Sequence, residues 1–410
     1  MEVNPGYRQT EIGVIPEDWI VASLGDIAIT SSGTTPARAL GERYYRDGTV
    51  HWVKTLDLNN SILSDTDEKV TKLAIDETSL RSYPAGSVLV AMYGGFNQIG
   101  RTGLISMPAA VNQAITAIQP HANKLHSEYL LAALNFRIDY WKSVASSSRK
   151  DPNITSQDVR SFPVALPILA EQRAIAAALS DVDALLESLD RLIAKKRNLK
   201  QAAMQQLLTG QTRLPGFSGE WELKRLGDIA TYFSGGTPST DVSSNYGGQI
   251  PWITSGDLNQ GYIVDVQGRI TDAGLANSSA KLVEPGALLI ALYGATSGVA
   301  AISRVRAAIN QAVLAILPRQ DNVYFIYFKL IFLKNWVIST YTQGGQPNLS
   351  GEIVKSIEMR LPQISEQDAI ADVLTDMDYE LASIEQRRNK TAALKQAMMQ
   401  ELLTGRTRLV

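Results

Sequence analysis

The chain has 410 residues, a hydrophobic fraction of 45%, no cysteine and a formal net charge of −2. Such a length holds two or more domains with real cores. The lack of cysteine excludes a disulfide scaffold, zinc–thiolate sites and a thiol nucleophile. A near-neutral balance announces no global attraction to nucleic acid, although a local patch, not the sum, decides such binding. The first residues, MEVNPGYRQTEIG, lack the charged-then-apolar order of a secretion signal. No apolar run approaches the roughly 20 residues that span a bilayer. The absence of cysteine suits a reducing cytoplasm.

In chain order, the first predicted elements are strand-like. EDWIVASLGDIA around Trp19 is followed by the glycine turn SSGTTP, ending at Pro36, and by HWVKTLDLNN. VLVAMYG follows the turn Pro84-Ala85-Gly86, and AITAIQP is closed by Pro120. SEYLLAALNFRIDYW reads as a short amphipathic helix, and DPNI at Asp151 as a turn. A long helix then starts after Pro167 and stops at Gly210, with proline before the start and glycine after the end.

Every one of these segments recurs. Trp221 sits in GEWELKRLGDIA, SGGTP ends at Pro238, and HWVKTLDLNN is answered by PWITSGDLNQ. PAGSVLVAMYGG is answered by PGALLIALYGA, VNQAITAI by INQAVLAI, and DPNIT by QPNLS. VYFIYFKLIFLKNW takes the place of the short amphipathic helix. The second long helix starts after Pro362, where Ser365-Glu366 reads as its N-terminus, and stops at Gly405. Ala170 holds the serine's place in the first copy. The helices end in LKQAAMQQLLTGQTRL from Leu199 and LKQAMMQELLTGRTRL from Leu394. Such repetition is the dominant organising signal. Gln9-Thr10-Glu11-Ile12 also precedes Trp19 as Gln211-Thr212-Arg213-Leu214 precedes Trp221. The units are therefore ordered as if on a circle cut open at the termini, which implies an approximate two-fold axis.

The expected boundaries are a globular domain over 1–165, a helical spacer over 166–212, a second domain over 213–360 and a second spacer over 361–410. The expected fold is α+β: two similar globular domains joined by two long helices. About 40 uninterrupted residues make a rod of roughly 60 Å. Leu179, Val182, Leu186, Leu189 and Ile193 recur at coiled-coil spacing, as do Leu374, Met377, Leu381 and Ile384. Asp181, Asp183, Glu187 and Asp190 precede Lys195, Lys196, Arg197 and Lys200. Asp372, Asp376, Asp378 and Glu380 precede Arg387, Arg388 and Lys390. Only antiparallel pairing sets acidic halves against basic ones. The helix dipole, which favours the same charge order, acts only in the end turns.

Catalytic chemistry is not found. His51, His121 and His126 have no counterparts in the other half, and HANKLH has poor spacing for a metal pair. No phosphate-binding G-x-x-x-x-G-K-[ST] occurs, and the glycines of YGGFNQIGRTG are in the wrong order for G-x-G-x-x-G. DPNI shares an Asp-Pro with an amino-methyltransferase motif, but its partner QPNL has Gln346 in place of the acid. Both are read as turns.

The ordered set IGVIPEDW, SGGTPS, IPWITSGDL, ALYGATSG, INQAV, LPQISEQDAI and LLTG-x-T-R-L, most of it present twice, resembles the specificity subunit of type I restriction-modification systems. The resemblance covers nearly the whole chain. It implies two target recognition domains, each reading half of a split, asymmetric double-stranded DNA target, and an antiparallel helical spacer. It also implies docking of two modification subunits, which methylate adenine with S-adenosylmethionine. Restriction subunits, which use ATP and Mg, complete the nuclease. On this reading the chain carries no catalysis, cofactor or metal of its own and is cytoplasmic. The half-sites are then expected about one helical turn apart, as with dimeric readers. A coiled-coil adaptor without a DNA role, and the recognition module of a fused restriction-methylation enzyme, are the alternatives.

Residues shared by the halves are expected to be scaffold and differing polar ones to read DNA. Trp19/Trp221, Asp57/Asp257, Tyr93/Tyr293 and Asn112-Gln113/Asn310-Gln311 are shared, and Asn-Gln is also weighed as a backbone contact. The differing stretches suggest Arg43, Arg46, Lys54, Asn97, Gln98, Arg101, Arg149 and Lys150 in the first half. In the second they suggest Asn245, Thr254, Ser255, Thr296, Ser297, Gln343 and Gln346. These side chains can pair with base edges or phosphates.

Overall fold

A computed structural model describes residues 5–95, 97–145, 153–341 and 348–409. The chain divides into two compact units: Met1–Leu189 with Arg387–Val410, and Asp190–Gln386. Each long helix is therefore shared. The first, Leu169–Leu207, and the second, Ile364–Leu402, each supply one end to either unit.

In the first unit a five-stranded sheet runs in the order Ala28–Ser32, Ile115–Pro120, Val88–Ala91, Thr102–Ile105, Ser61–Leu63. Only the last pairing is parallel. A four-stranded sheet orders Lys69–Val70, Val50–Val53, Ala109–Val111, Ser82–Tyr83. The run Val88–Ala91 is buried on both faces, which is why it reads as continuously apolar. Val88 and Val90 face a core with Trp19, Tyr129, Leu134, Trp141, Phe162 and the helix residues Ile175, Leu179, Met399 and Leu402. Leu89 and Ala91 face a second core with Val53, Leu58, Ile105 and Val111.

The second unit repeats this plan. Its five-stranded sheet runs Ala230–Ser234, Val313–Pro318, Leu288–Ala291, Ala300–Ser303, Tyr262–Ile263. Its four-stranded sheet runs Arg269–Ile270, Tyr246–Ile253, Ala307–Ile309, Lys281–Val283. Leu288 and Ile290 pack toward Trp221, Phe325, Phe328 and the helix residues Met204, Leu207, Ile370 and Leu374.

Within each unit the helices pair antiparallel, as their charge order predicts. In the first, Lys395 meets Asp183 at 2.5 Å. In the second, Lys196 meets Glu380 at 2.5 Å, Arg197 meets Glu385 at 2.6 Å, and Lys200 meets Asp378. Leu179, Leu189, Ile193 and Leu374 are buried, while Val182, Leu186, Met377, Leu381 and Ile384 are half-buried.

Three local expectations are corrected. The second helix begins at Ile364, one residue before Ser365, because the Gln363 carbonyl accepts the amides of Glu366 and Gln367. The segment expected to be short and amphipathic is a helix of 19 residues, Val323–Tyr341. It is also long and apolar enough to cross a membrane by composition, with a mean hydropathy of 1.2, contrary to the sequence expectation. Its apolar character is used inside the second unit, where Phe325, Ile326, Phe328 and Leu330 are buried.

Candidate nucleic-acid interface

In the first unit four sequence motifs converge where strands of the two sheets end. Gly33 lies so close to the neighbouring strand that a Cβ would stand 2.1 Å from the Val111 carbonyl. Only glycine admits this approach. The Thr34 amide donates to Val111 O at 3.0 Å, and Thr35 Oγ1 reaches Gln113 Oε1. Tyr93 Oη donates to the Gln113 carbonyl at 2.7 Å, and the Trp52 indole donates to Thr34 O at 3.4 Å. Asn112 Oδ1 accepts the Ala114 amide at 3.1 Å, which fixes the turn that presents Gln113. SSGTTP, the end of HWV, YGG and VNQA thus form one loop cluster.

The second unit builds the same cluster. A Cβ on Gly235 would lie 1.7 Å from the Ile309 carbonyl. Thr237 Oγ1 reaches Gln311 Oε1, the Trp252 indole donates to Gly236 O at 3.2 Å, and Asn310 Oδ1 accepts the Ala312 amide at 3.0 Å. Asn112 and Asn310 are therefore turn-formers, whereas Gln113 and Gln311 are exposed. Ile154 and Leu349 dock alongside: Ile154 N donates to Met92 O at 2.8 Å and Leu349 N to Leu292 O at 2.6 Å. Asp57 and Asp257 each accept the backbone amide three residues earlier, from Lys54 at 2.6 Å and Thr254 at 2.8 Å. Burial raises the Asp57 carboxyl above the ordinary aspartate range.

The candidate readers occupy different settings. Arg43 is exposed but forks onto Glu77, with Nε to Oε2 at 2.7 Å, and holds that carboxyl below its usual range. Arg46 pairs with Glu42 one turn earlier. Lys54 lies 3.4 Å from Glu68. Asn97 is exposed, and its carbonyl takes the Arg101 Nε at 2.9 Å. Gln98 packs beneath Gly94, where its side chain occupies the space a Cβ would need.

In the second unit Thr254 caps Asp257 through its hydroxyl at 2.8 Å, with Ser255 next to it and half-buried. Thr296 is half-buried in its turn. Two expectations are corrected. Asn245 is 4% exposed and donates from Nδ2 to Ser239 O at 3.1 Å; Ser297 is 3% exposed and donates from Oγ to Leu292 O at 3.0 Å. Both shape their loops from within, because a buried polar group must be satisfied by its own chain. Arg149, Lys150, Gln343 and Gln346 lie outside the described residues, as do Asp151 and Pro152.

Arg38 was missed by the sequence reading. It forks onto Glu68, with Nη2 to Oε2 at 3.0 Å, and its guanidinium lies 4.4 Å from the Tyr45 ring and 5.0 Å from the Trp52 ring. That bond holds Glu68 below the usual carboxylate range. Only the tertiary stack distinguishes this arginine from its neighbours in ARALGER. Among the described residues no cluster of metal-ligating side chains occurs.

These features define a duplicated α+β protein, each copy presenting one polar loop cluster and packing against antiparallel helix ends. A family model described as the type I restriction modification DNA specificity domain matches residues 16–195 and again 218–393. The chain belongs to that family, the specificity subunits of type I restriction-modification systems.

Similarity extends to the MjaIX specificity subunit of Methanocaldococcus jannaschii, 26% identical over 81% of this chain and 80% of that one. A putative MjaX specificity subunit from the same organism is 24% identical over 98% of this chain and 97% of that one. The crystal structure of a type I S subunit from M. genitalium superposes with a TM-score of 0.64 at 16% identity, covering 98% of both chains. A chain from a structural study of complex assembly and conformational transition of the type I R-M system gives 0.59 at 19% identity, covering 95% of this chain and 99% of that one. At those identities the structures speak for the fold.

Proposed function

We propose that this chain reads a bipartite, asymmetric target in double-stranded DNA, one half per unit, and docks two modification subunits. The observation that carries the reading is the loop cluster around Gln113 and Gln311. Its scaffold repeats the threonine–glutamine, tryptophan and asparagine bonds in both units, while the side chains arrayed on it differ. In the first unit Lys54 follows Val53, whose carbonyl takes the Asn112 amide, and Arg38 packs over Trp52; in the second Thr254 holds the place of Lys54, after Ile253, whose carbonyl takes the Asn310 amide. A common scaffold with different polar dressing is what two readers of different sequences require.

Docking of two partners is supported by the near-identity of the two helix ends. They also expose the same residue: Leu199 is 47% and Leu394 56% exposed. Exposure of the same apolar side chain at both equivalent positions is what two copies of one docking surface require. Adenine methylation with S-adenosylmethionine falls to those partners, and ATP- and Mg-dependent restriction to a further pair. The chain itself is the address reader, working in the cytoplasm where DNA lies.

The test is mapping of adenine methylation by single-molecule sequencing, in the source organism with and without the gene. A split asymmetric motif that disappears on deletion is expected. An unchanged methylome, together with no binding of the purified chain to modification subunit or duplex, overturns the reading in favour of an adaptor.

A further inference from the structure

A cavity of about 270 Å3 opens in the first unit. Its walls come from the hairpin Tyr7–Thr10/Gly13–Pro16, the helix Ser127–Phe136, the strand Pro163–Leu166 and the C-terminal end of the second long helix. Phe136, Phe162 and Leu403 make it apolar, and two guanidinium groups line it, Arg137 and Arg406. Arg137 is half-buried. Nη1 donates to the Pro163 carbonyl at 2.7 Å, and the guanidinium lies 5.2 Å from the Phe162 ring and 5.6 Å from that of Tyr140. Among the described residues it bonds no carboxylate; Glu11 acts on it only through space. Burial pulls its pKa below the usual arginine range. Arg406 is exposed at the rim, with Glu401 at 3.7 Å.

The duplication shows that the fold does not require this cavity. Gln172 Oε1 accepts the His126 amide and Gln367 Oε1 the Asn322 amide, both at 2.9 Å, so His126 and Asn322 are equivalent. Seven residues on, Ala133 in the first unit corresponds to Lys329 in the second. Lys329 is 6% exposed and donates to the carbonyl of Leu208, the counterpart of Leu403. The second unit thus fills the equivalent space with its own side chain. It also replaces both arginines, with Leu333 for Arg137 and Gln211 for Arg406. A small residue and two arginines occur together in one copy only.

We propose that the first unit binds a small amphipathic carboxylate in this cavity, its apolar body against Phe136, Phe162 and Leu403 and its carboxylate on Arg137 and Arg406. A desolvated guanidinium without an acidic partner gains most from an anion that brings a matching fork. The volume lies below the ~300–1,000 Å3 of drug-sized sites, which suits a short acid.

The probe is octanoate, titrated calorimetrically into the full chain, with 1-octanol as the uncharged control. Binding of one octanoate per chain is expected, with octanol at least tenfold weaker. Ala133→Lys and Arg137→Leu each import the second unit's residue and are expected to weaken octanoate at least tenfold; Arg406→Gln weakens it less. Melting curves establish that each variant folds, and Arg406→Gln decides the matter if the other two do not. No binding at millimolar octanoate, equal binding of octanol, or unchanged affinity in the folded variants overturns the proposal.

Discussion

Arg408 and Glu171, 237 residues apart, form a two-pronged ion pair: Nε to Oε1 at 2.6 Å and Nη2 to Oε2 at 2.8 Å. Glu171 is fully buried, and its Oε2 also accepts the Trp19 indole at 3.2 Å. Arg408 extends to Asp18 at 2.8 Å and lowers that carboxyl's pKa. The second unit repeats the device with Arg213 on Glu366. The last residues of the chain thus complete the first unit, as the residues after the first long helix complete the second. Arg408→Ala leaves a buried carboxylate unpaired, a loss on the order of 3 kcal/mol. Urea unfolding followed by intrinsic fluorescence should show the first unit melting earlier, with the second unchanged. Arg408→Lys should recover little, since an ammonium lacks the fork. Equal stability of Arg408→Ala and the parent would remove the closure argument.

Lys200 and Asp378 pair across the helices with side chains only 19% and 15% exposed, and Asp378 also accepts the Tyr262 hydroxyl at 3.1 Å. Reversing either charge alone should destabilise the second unit by roughly 1–3 kcal/mol. The double exchange Lys200→Asp with Asp378→Lys should restore a large part. Recovery stays incomplete because the tyrosine loses its acceptor. Additive losses in the double-mutant cycle would mean that the pair contributes no coupling.

Arg101 is held by a backbone carbonyl and engages no carboxylate among the described residues, whereas Arg43 and Arg46 are committed to Glu77 and Glu42. Arg101→Ala should therefore weaken DNA binding more than Arg43→Ala does. It should also flatten the salt dependence of the affinity by about one unit of slope, as expected for one phosphate contact. Asn245→Ala should lower the melting temperature and leave the slope unchanged. A salt series on a specific duplex distinguishes these outcomes, and an unaltered slope in Arg101→Ala removes that residue from the interface.

Burial pulls the Lys329 ammonium down to about 8 from its ordinary 10.5. Between those values the unfolded chain holds the proton more tightly than the folded one. Stability therefore rises as pH climbs from 8 toward 10, and the cost of the buried charge is fully present below 8. That cost is roughly 3 kcal/mol, partly offset by the bond to Leu208 O. Lys329→Met keeps the length without the charge. It should raise the melting temperature at pH 7 and abolish the gain between pH 7 and 9.5. A variant that melts lower at pH 7 would show the hydrogen bond to outweigh the burial.

The duplication, the circular order of its parts, the two long helices and their antiparallel sense are all legible in the sequence. Each is either a repeat or a local period, and charge order along a helix fixes the sense of pairing without coordinates. Alternating burial is a weaker guide: Val88–Ala91 shows none because sheet packing covers both faces. The helix Val323–Tyr341 looked like a short amphipathic segment because its length depends on the core that surrounds it. Which polar residues stay at a loop surface was decided only by the tertiary structure. Asn245 and Ser297 resemble Asn97 and Thr296 in composition and differ in what lies above them. The same holds for Arg38, set apart by the rings of Tyr45 and Trp52, and for Ala133 and Lys329, where one substitution separates a filled space from an open one. The repeat length and the helix periods are properties of neighbours along the chain. The bond from Arg408 to Glu171 exists only where the fold brings together residues that the chain keeps far apart.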